Sequence, residues 1–380
     1  MVAKRLLYIH PGLVPPPHDP SLDRYSFLSE VLSGCVLMPV WYTMLSELAA
    51  ESGVVGLSKI VGRFEYRFHL SGFEARLFDK VRRFIFYCRE GRAQFRAHPY
   101  DVIVTYGHTL TALAGLVLSL ITGAKLIVEL NSEPGRAQRY SRASGGSAIV
   151  SIACLHFIAL FAHRFRLLYP TQLDRFRLLR RVPVSVFHDF VPTSAIVPGT
   201  SRTYTLLLVG YPWYLKGADT LIQAFWLLAD DYPDLRLKIL GHMPDRGPLE
   251  ELIHGSPRIV LAAPVSQREA YQEIAAAHIY VHPARTEGMG RVLIEAMVSK
   301  TPIVASTVGG IPHYITHGIT GLLCPPDDPK ALAAAIKCLL SDDTLWNKIR
   351  ERAYVVAKEQ FDEASYVRQL ASMVDETVTH

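Results

Sequence analysis

The chain has 380 residues, 49% hydrophobic and 20% charged, with a formal net charge of +5. That is ordinary soluble globular composition, and the length points to two domains, because single cores rarely grow past about 250–300 residues. Its five cysteines, Cys35, Cys88, Cys154, Cys324 and Cys338, are scattered without a CxxC, which excludes a disulfide framework or a zinc site and fits free thiols in a reducing compartment.

The N-terminus, "MVAKRLLYIHPG", offers too short an apolar run for a secretory signal. The longest apolar stretches, 109–128 and 148–162, are interrupted by Gly115, Gly123 and Lys125 and by His156. A spanning helix needs about 20 mostly apolar residues, so both read as buried elements and no transmembrane segment is expected. Charge is uneven. Residues 1–190 carry 23 Lys and Arg against 14 Asp and Glu, and the remainder 17 against 21. A basic half suits an anionic partner such as a membrane surface, and equally a merely solvated face.

In chain order, the first half predicts strands at "RLLYI" (5–9), "VLMPV" (36–40), "VIVTY" (102–106), "KLIVEL" (125–130), "RLLY" (166–169) and "VSVF" (184–187), with helical material between most of them. The stretch "RFEYRFHLSGFEARLFDKVRRFIFYCREGRAQFR" (63–96) mixes basic and aromatic residues. It reads as a helix burying its aromatics in a core, with an interfacial helix on anionic lipid as the sharper alternative. No zinc-finger, helix-turn-helix or RNA-recognition pattern supports nucleic acid. In the second half "TLLLVG" (205–210) is a continuous apolar strand of the doubly buried kind. Leu221, Ile222, Phe225 and Leu228 then form one helical stripe. Strands follow at "RLKILG" (236–241), "RIVLAA" (258–263), "HIYVHP" (278–283) and "PIVAST" (302–307), with helices at 266–277 and 291–299. In the helical tail Leu332, Ala335, Ile336 and Leu339 share a face.

Alternation of this kind argues for parallel α/β sheets covered on both faces, and it occurs once in each half. The expected organisation is a doubly wound domain at 1–190, a Pro/Ser/Thr/Gly-rich linker at 191–203, a second doubly wound domain at 204–360, and a terminal helix at 361–380 returning toward the first domain. Ligands bind such sheets at the carboxyl ends of their strands.

The densest chemistry lies in "HPARTEGMGRVLIEAMVSKTPIVASTVGGIPHYITHGITGLL" (282–323). Gly288 and Gly290 permit close backbone approach. A helix beginning near Arg291 turns unpaired N–H groups and its positive dipole end toward the loop, which suits a phosphate. Glu287 on the loop and Glu295 one turn into the helix can each accept hydrogen bonds from hydroxyls. Sugar, diphosphate and ribose would want acceptor, donors and acceptor in that order. Lys216, in "VGYPWYLKGADTLIQAF", follows a buried strand and suits the same phosphate, and Gly309–Gly310 supply a second close-approach loop.

Together "LLLVGYPWYLKGADTLIQAF", "LRLKILG", "EGMGRVLIEAMVSKTPIVASTVGGIP" and "HGITGLLCPPDDPKALAAAI", over roughly 204–345, resemble the nucleotide-sugar-binding domain of the retaining glycosyltransferases of family GT4 (GT-B superfamily, glycosyl transferases group 1). The resemblance implies a GT-B fold: two Rossmann-like domains facing a cleft. It implies that Glu287 and Glu295 are the two glutamates of an EX7E motif, the first near donor sugar hydroxyls and the second on the nucleotide ribose. Lys216 would pair with the diphosphate, and Gly288, Met289, Gly290 and Arg291 would offer backbone N–H groups. Gly210, Tyr211, Gly309 and Gly310 complete the implied donor site. No metal and no cofactor are implied; the nucleoside-diphosphate sugar is the donor substrate.

Three positions depart from the pattern. Tyr211 stands where the family places an arginine, with Arg285 and Arg291 as candidates to replace that cation. His313 stands for the glutamate of "GGIPE", and Lys300 for the glycine before "TPIVAS". In the first half the implied acceptor side comprises Gly12 and the Asn131, Ser132 and Glu133 loop. The loop histidine common in the family is missing, and His108 in "TYGHTL" is the candidate to serve in its place, against the plainer reading of a structural histidine.

The resulting expectation is an enzyme that moves a sugar from a nucleoside diphosphate to a saccharide or lipid-linked acceptor with retention, in cell-envelope, exopolysaccharide or glycolipid synthesis. It would work in the cytoplasm, peripheral to the inner face of the membrane. Alternatives are a sugar-nucleotide epimerase or phosphorylase on the same fold, or a non-catalytic sugar-nucleotide sensor or partner subunit. A nicotinamide oxidoreductase is disfavoured because no GxGxxG follows the first strand of either half.

Overall fold

The computed structural model describes residues 4–11, 23–41, 54–55, 58–71, 76–133, 145–174, 176, 181–199 and 203–379. Gly12 lies outside them. The chain divides into two compact units: residues up to Pro192 together with Glu363–His380, and a second unit over Thr193–Asp362.

Among the described residues the first unit is built on nine strands, β1 (Arg5–Ile9), β2 (Ser33–Trp41), β3 (Val54–Val55), β4 (Ser58–Val61), β5 (Phe64–Ser71), β6 (Val102–Tyr106), β7 (Lys125–Leu130), β8 (Arg164–Leu167) and β9 (Val184–Val186), in the order β3-β4-β5-β2-β1-β6-β7-β8-β9. From β5 through β9 every pairing is parallel; β3 and β4 add an antiparallel edge. One face packs helices Arg76–Ala97, Leu110–Thr122 and Gly145–Ala159 around Leu7, Ile103, Leu126 and Phe165. On the other face, Tyr366, Leu370 and Met373 of the terminal helix Glu363–Thr379 join Tyr8, Val104 and Ile127.

Two sequence readings are corrected in this unit. The stretch 63–96 is not one helix, because β5 takes its first part and the helix begins at Arg76. Phe64, Tyr66 and Phe68 are buried alternately with Glu65, Arg67 and His69, a period of two that only a strand produces. The helix then buries Phe86 and Tyr87 and leaves Phe78, Val81 and Ile85 exposed. The strand expected at 166–169 lies two residues earlier, because its arginines have partners inside the fold. Arg166 is fully buried between Asp189 at 2.9 Å and Glu129 at 3.3 Å, and Arg164 reaches Thr377 and Ser185.

The second unit holds a six-stranded, wholly parallel sheet: β10 (Thr203–Val209), β11 (Arg236–Leu240), β12 (Ile259–Ala262), β13 (Ala277–His282), β14 (Ile303–Ser306) and β15 (Leu322–Cys324), ordered β12-β11-β10-β13-β14-β15. Numbered from β10, that is the 3-2-1-4-5-6 order of a doubly wound sheet. Leu206, Leu208, Ile279 and Val281 face the predicted stripe of Leu221, Ile222 and Phe225 on helix Ala218–Trp226, all essentially buried. Each such side chain contributes about 1.5–3 kcal/mol on leaving water. In this order the direction of winding reverses between β10 and β13, so the loops after these two strands diverge and open a crevice. Lys216 follows β10 and Glu287 follows β13. No helix among the described residues is long and apolar enough to cross a membrane.

Candidate active site at the switch point of the second sheet

β10 is followed by Gly210, whose φ of +149° few side chains adopt. A Cβ there would stand 3.2–3.5 Å from the Lys216 stem, so the glycine gives that stem its bed. Lys216 closes the short helix Trp213–Lys216, and Gly217 follows with φ +72°. A Cβ on Gly217 would fall 2.0 Å from the Pro283 carbonyl, so this turn and the loop after β13 touch backbone to backbone. The Arg285 N–H donates to the Leu215 carbonyl at 2.9 Å.

Lys216 and Glu287 meet across this contact, Nζ to Oε2 at 2.6 Å, from positions 71 apart. His282, the last residue of β13, places Nε2 2.8 Å from the same oxygen. The Gly288 N–H donates to Oε1 at 3.1 Å. Burial alone would raise the Glu287 pKa, but Lys216 and His282 outweigh it and hold the carboxyl well below its ordinary range. Glu287 is therefore an ionised acceptor.

The glycine loop leads into helix Arg291–Val298. Gly290, with φ +73°, precedes it and no side chain caps its first turn. Met289 is buried and its carbonyl accepts from the Tyr314 hydroxyl. Glu295 is buried within the helix; burial raises its pKa and the nearby Arg291 partly offsets that. Glu287 and Glu295 are thus tuned in opposite directions.

Gly309 and Gly310 lie directly on this loop. Gly309 has φ +55°, and a Cβ there would sit 1.8 Å from the Glu287 carbonyl; the Gly310 N–H donates to the Gly288 carbonyl at 2.7 Å. Ser306, just upstream, donates to the Ala284 carbonyl.

Tyr211 is 52% exposed, with its ring 5.3 Å from His242, and brings no cation. Arg285 does not replace one. It is committed to both carboxylate oxygens of Asp219 at 2.8 Å, to Asp327 at 2.6 Å and to the face of Tyr214. Arg291 stands exposed at the helix start. His313 lies in the short turn Ile311–His313. Lys300 adopts φ +56°, the left-handed conformation in which glycine is the easy occupant, and pairs with Glu351 at 2.6 Å.

The remaining candidates lie in the first unit. His108 follows β6 and is buried, with Nε2 2.7 Å from Ser151 Oγ and its pKa pushed down to about 4 by burial. It ties helix Gly145–Ala159 to the β6 loop. Asn131, Ser132 and Glu133 follow β7 at the carboxyl edge of that sheet. Both amide atoms of Asn131 are inaccessible and without a hydrogen bond, Ser132 is exposed, and Glu133 accepts from the Tyr169 hydroxyl at 3.0 Å. Among the described residues no three His, Cys, Asp or Glu side chains gather as a metal site would need.

Sequence reasoning missed His282. It read "HIYVHP" only as a strand, although a histidine at a strand end five residues before a loop glutamate was a usable signal.

Residues 203–342, which contain every element of this crevice, match the family model described as glycosyl transferases group 1. This domain belongs to that family. The chain is 31% identical over 188 residues to a D-inositol 3-phosphate glycosyltransferase from Corynebacterium glutamicum, an alignment covering 47% of this chain and 45% of the relative. A second such protein, from Pseudarthrobacter chlorophenolicus, is 28% identical over 273 residues, covering 64% and 63%. The chain thus spans about half the length of the curated relatives it matches. Among solved structures, sucrose-phosphate synthase from Thermosynechococcus elongatus superposes with a TM-score of 0.81 at 18% identity over 98% of both chains. HepE from Anabaena in complex with UDP-glucose gives 0.74 at 16% identity over 98% and 99%. These likenesses establish the GT-B fold around the group 1 domain.

Proposed function

We propose that this crevice binds a nucleoside-diphosphate sugar and that the chain transfers the sugar to an acceptor hydroxyl with retention of anomeric configuration. The observation that carries the reading is the convergence of Lys216 and the ionised Glu287 beside the uncapped start of helix Arg291–Val298. Cleavage of the bond from anomeric carbon to phosphate oxygen leaves charge on the diphosphate. Preorganised positive groups are the largest contribution a protein can make to such a step. Lys216 supplies one, and the backbone N–H groups at the helix start supply others. Glu287 accepts hydrogen bonds from the sugar hydroxyls, and Glu295 from those of the ribose.

The HepE complex makes UDP-glucose the first donor to try, and the relatives' names make an inositol phosphate one of the first acceptors. Cell-envelope or glycolipid synthesis is the setting proposed. The test is release of nucleoside diphosphate from UDP-, GDP- and ADP-sugars, with and without acceptor extracts. One nucleotide released, lost in Lys216→Ala and Glu287→Ala, supports the reading. Donor conversion to an epimer without release would replace it with an epimerase, and binding without turnover would replace it with a sensor.

A further inference from the structure

The donor site proposed above requires Lys216 to serve a phosphate, yet Lys216 is bonded to Glu287. A donor diphosphate would draw the ammonium away, and an ionised carboxylate in a protein interior is costly without partners. We infer that His282 is the positioning residue that holds Glu287 in place when Lys216 leaves it for the donor diphosphate; the inference rests on that donor-site reading.

The two partners of Oε2 differ in freedom. The Lys216 side chain is 17% exposed on a flexible stem, whereas that of His282 is wholly buried. The imidazole lies 6.1 Å from the Tyr280 ring at an interplanar angle of 22°. Tyr280 is in turn fixed by its hydroxyl, which donates to the Val209 carbonyl at 3.2 Å. The histidine therefore sits at the end of β13, beside a ring tied to β10, the other central strand of the switch point.

Geometry also fixes the tautomer. Nδ1 is buried with no hydrogen-bond partner, and Nε2 faces the carboxylate. A proton on Nε2 donates to Oε2 and leaves Nδ1 a bare lone pair. A proton on Nδ1 would strand a donor and set two lone pairs against each other. Burial favours the neutral ring. With Lys216 withdrawn, the Nε2–H on Oε2 and the Gly288 N–H on Oε1 pin the carboxylate at both oxygens. The lone pairs left over face the sugar hydroxyls.

The test compares His282→Leu, which removes the donor, with His282→Gln, whose amide reaches about as far as Nε2. UDP binding is measured by calorimetry, and UDP-glucose turnover against pH. In His282→Leu, kcat falls at least about tenfold while the donor KM stays within about threefold. The acid limb moves to higher pH, because Glu287 has lost a group that favours its ionised form. UDP binding is unchanged, and His282→Gln recovers most of kcat. A wild-type kcat and acid limb in His282→Leu overturn the inference. So does a Gln variant as damaged as the Leu variant, or loss of UDP binding in both, which marks a merely structural histidine. A wild-type protein that binds no nucleotide overturns the donor-site reading itself, and the inference with it.

Discussion

Lys216 and Glu287 stand 2.6 Å apart at the mouth of the second sheet, each in the segment that follows a different central strand. The pair is nearly enclosed, with side-chain exposures of 17% and 13%. Removing one partner of such a pair leaves a buried charge, which costs about 3–5 kcal/mol in the fully buried limit. His282 and the Gly288 N–H still serve Glu287, so Lys216→Ala should lose about 1–2 kcal/mol of stability. Its loss of UDP affinity should be larger, on the order of 100-fold. Lys216→Arg should not restore it, because a planar fork does not replace a compact point charge on a flexible stem. Calorimetry with UDP and thermal unfolding separate the two effects.

Glu287 and Glu295 should respond oppositely to pH. Glu287 has a folded-state pKa below its unfolded value. Its contribution to stability is therefore present above the ordinary carboxyl range of about 4.3 and lost as pH falls through the folded value. Glu295 has a folded-state pKa above its unfolded value, so its contribution is present at low pH and lost as pH rises. At pH 7.5 Glu287→Gln should lower stability by about 2–3 kcal/mol and Glu295→Gln should raise it by about 1 kcal/mol; by about pH 4.5 the Glu295 effect should have shrunk while the Glu287 effect is still present. Chemical denaturation of both variants at pH 4.5 and 7.5 reads this directly.

Gly309 and Gly318 separate conformational strain from steric closure. Both have positive φ, at +55° and +74°, but a Cβ on Gly309 would lie 1.8 Å from the Glu287 carbonyl while Gly318 has nothing within 4 Å. Gly318→Ala should cost about 1 kcal/mol, the backbone term alone. Gly309→Ala should cost at least about 3 kcal/mol or displace the Glu287 loop, and donor turnover should fall with it.

Arg285 is the clamp beneath the site. Its guanidinium joins Asp219, Asp327 and Tyr214, and its backbone N–H holds Leu215, next to Lys216. Arg285→Ala should cost about 3 kcal/mol because two carboxylates lose their partner. Arg285→Lys should recover less than half of that, since it cannot grip Asp219 through two nitrogens.

Most of this architecture was legible in the sequence. The strands of the second sheet are near-continuous apolar runs, as doubly buried strands must be, and "TLLLVG" and "HIYVHP" needed only their ends moved. β5 was hidden because its period-two pattern runs into a helix with the same basic and aromatic composition. β8 was shifted because arginines in its interior are satisfied by Glu129, Asp189 and Thr377, partners distant in sequence. Glu287, Lys216 and the glycine pairs could be named because each lies in a segment that follows a strand, and Glu295 because it lies one turn into the helix after the glycine loop. What could not be read was who bonds to whom. Arg285 is spent on Asp219 and Asp327, and His282 shares an oxygen with Lys216, facts set by side-chain contacts across up to 71 residues.

The most direct measurement is a crystal structure of the protein with UDP bound. The account predicts the diphosphate at the start of helix Arg291–Val298, Lys216 Nζ moved from Glu287 to a phosphate oxygen, and the His282–Glu287 contact retained. A nucleotide bound elsewhere, with Lys216 still on Glu287, would contradict it.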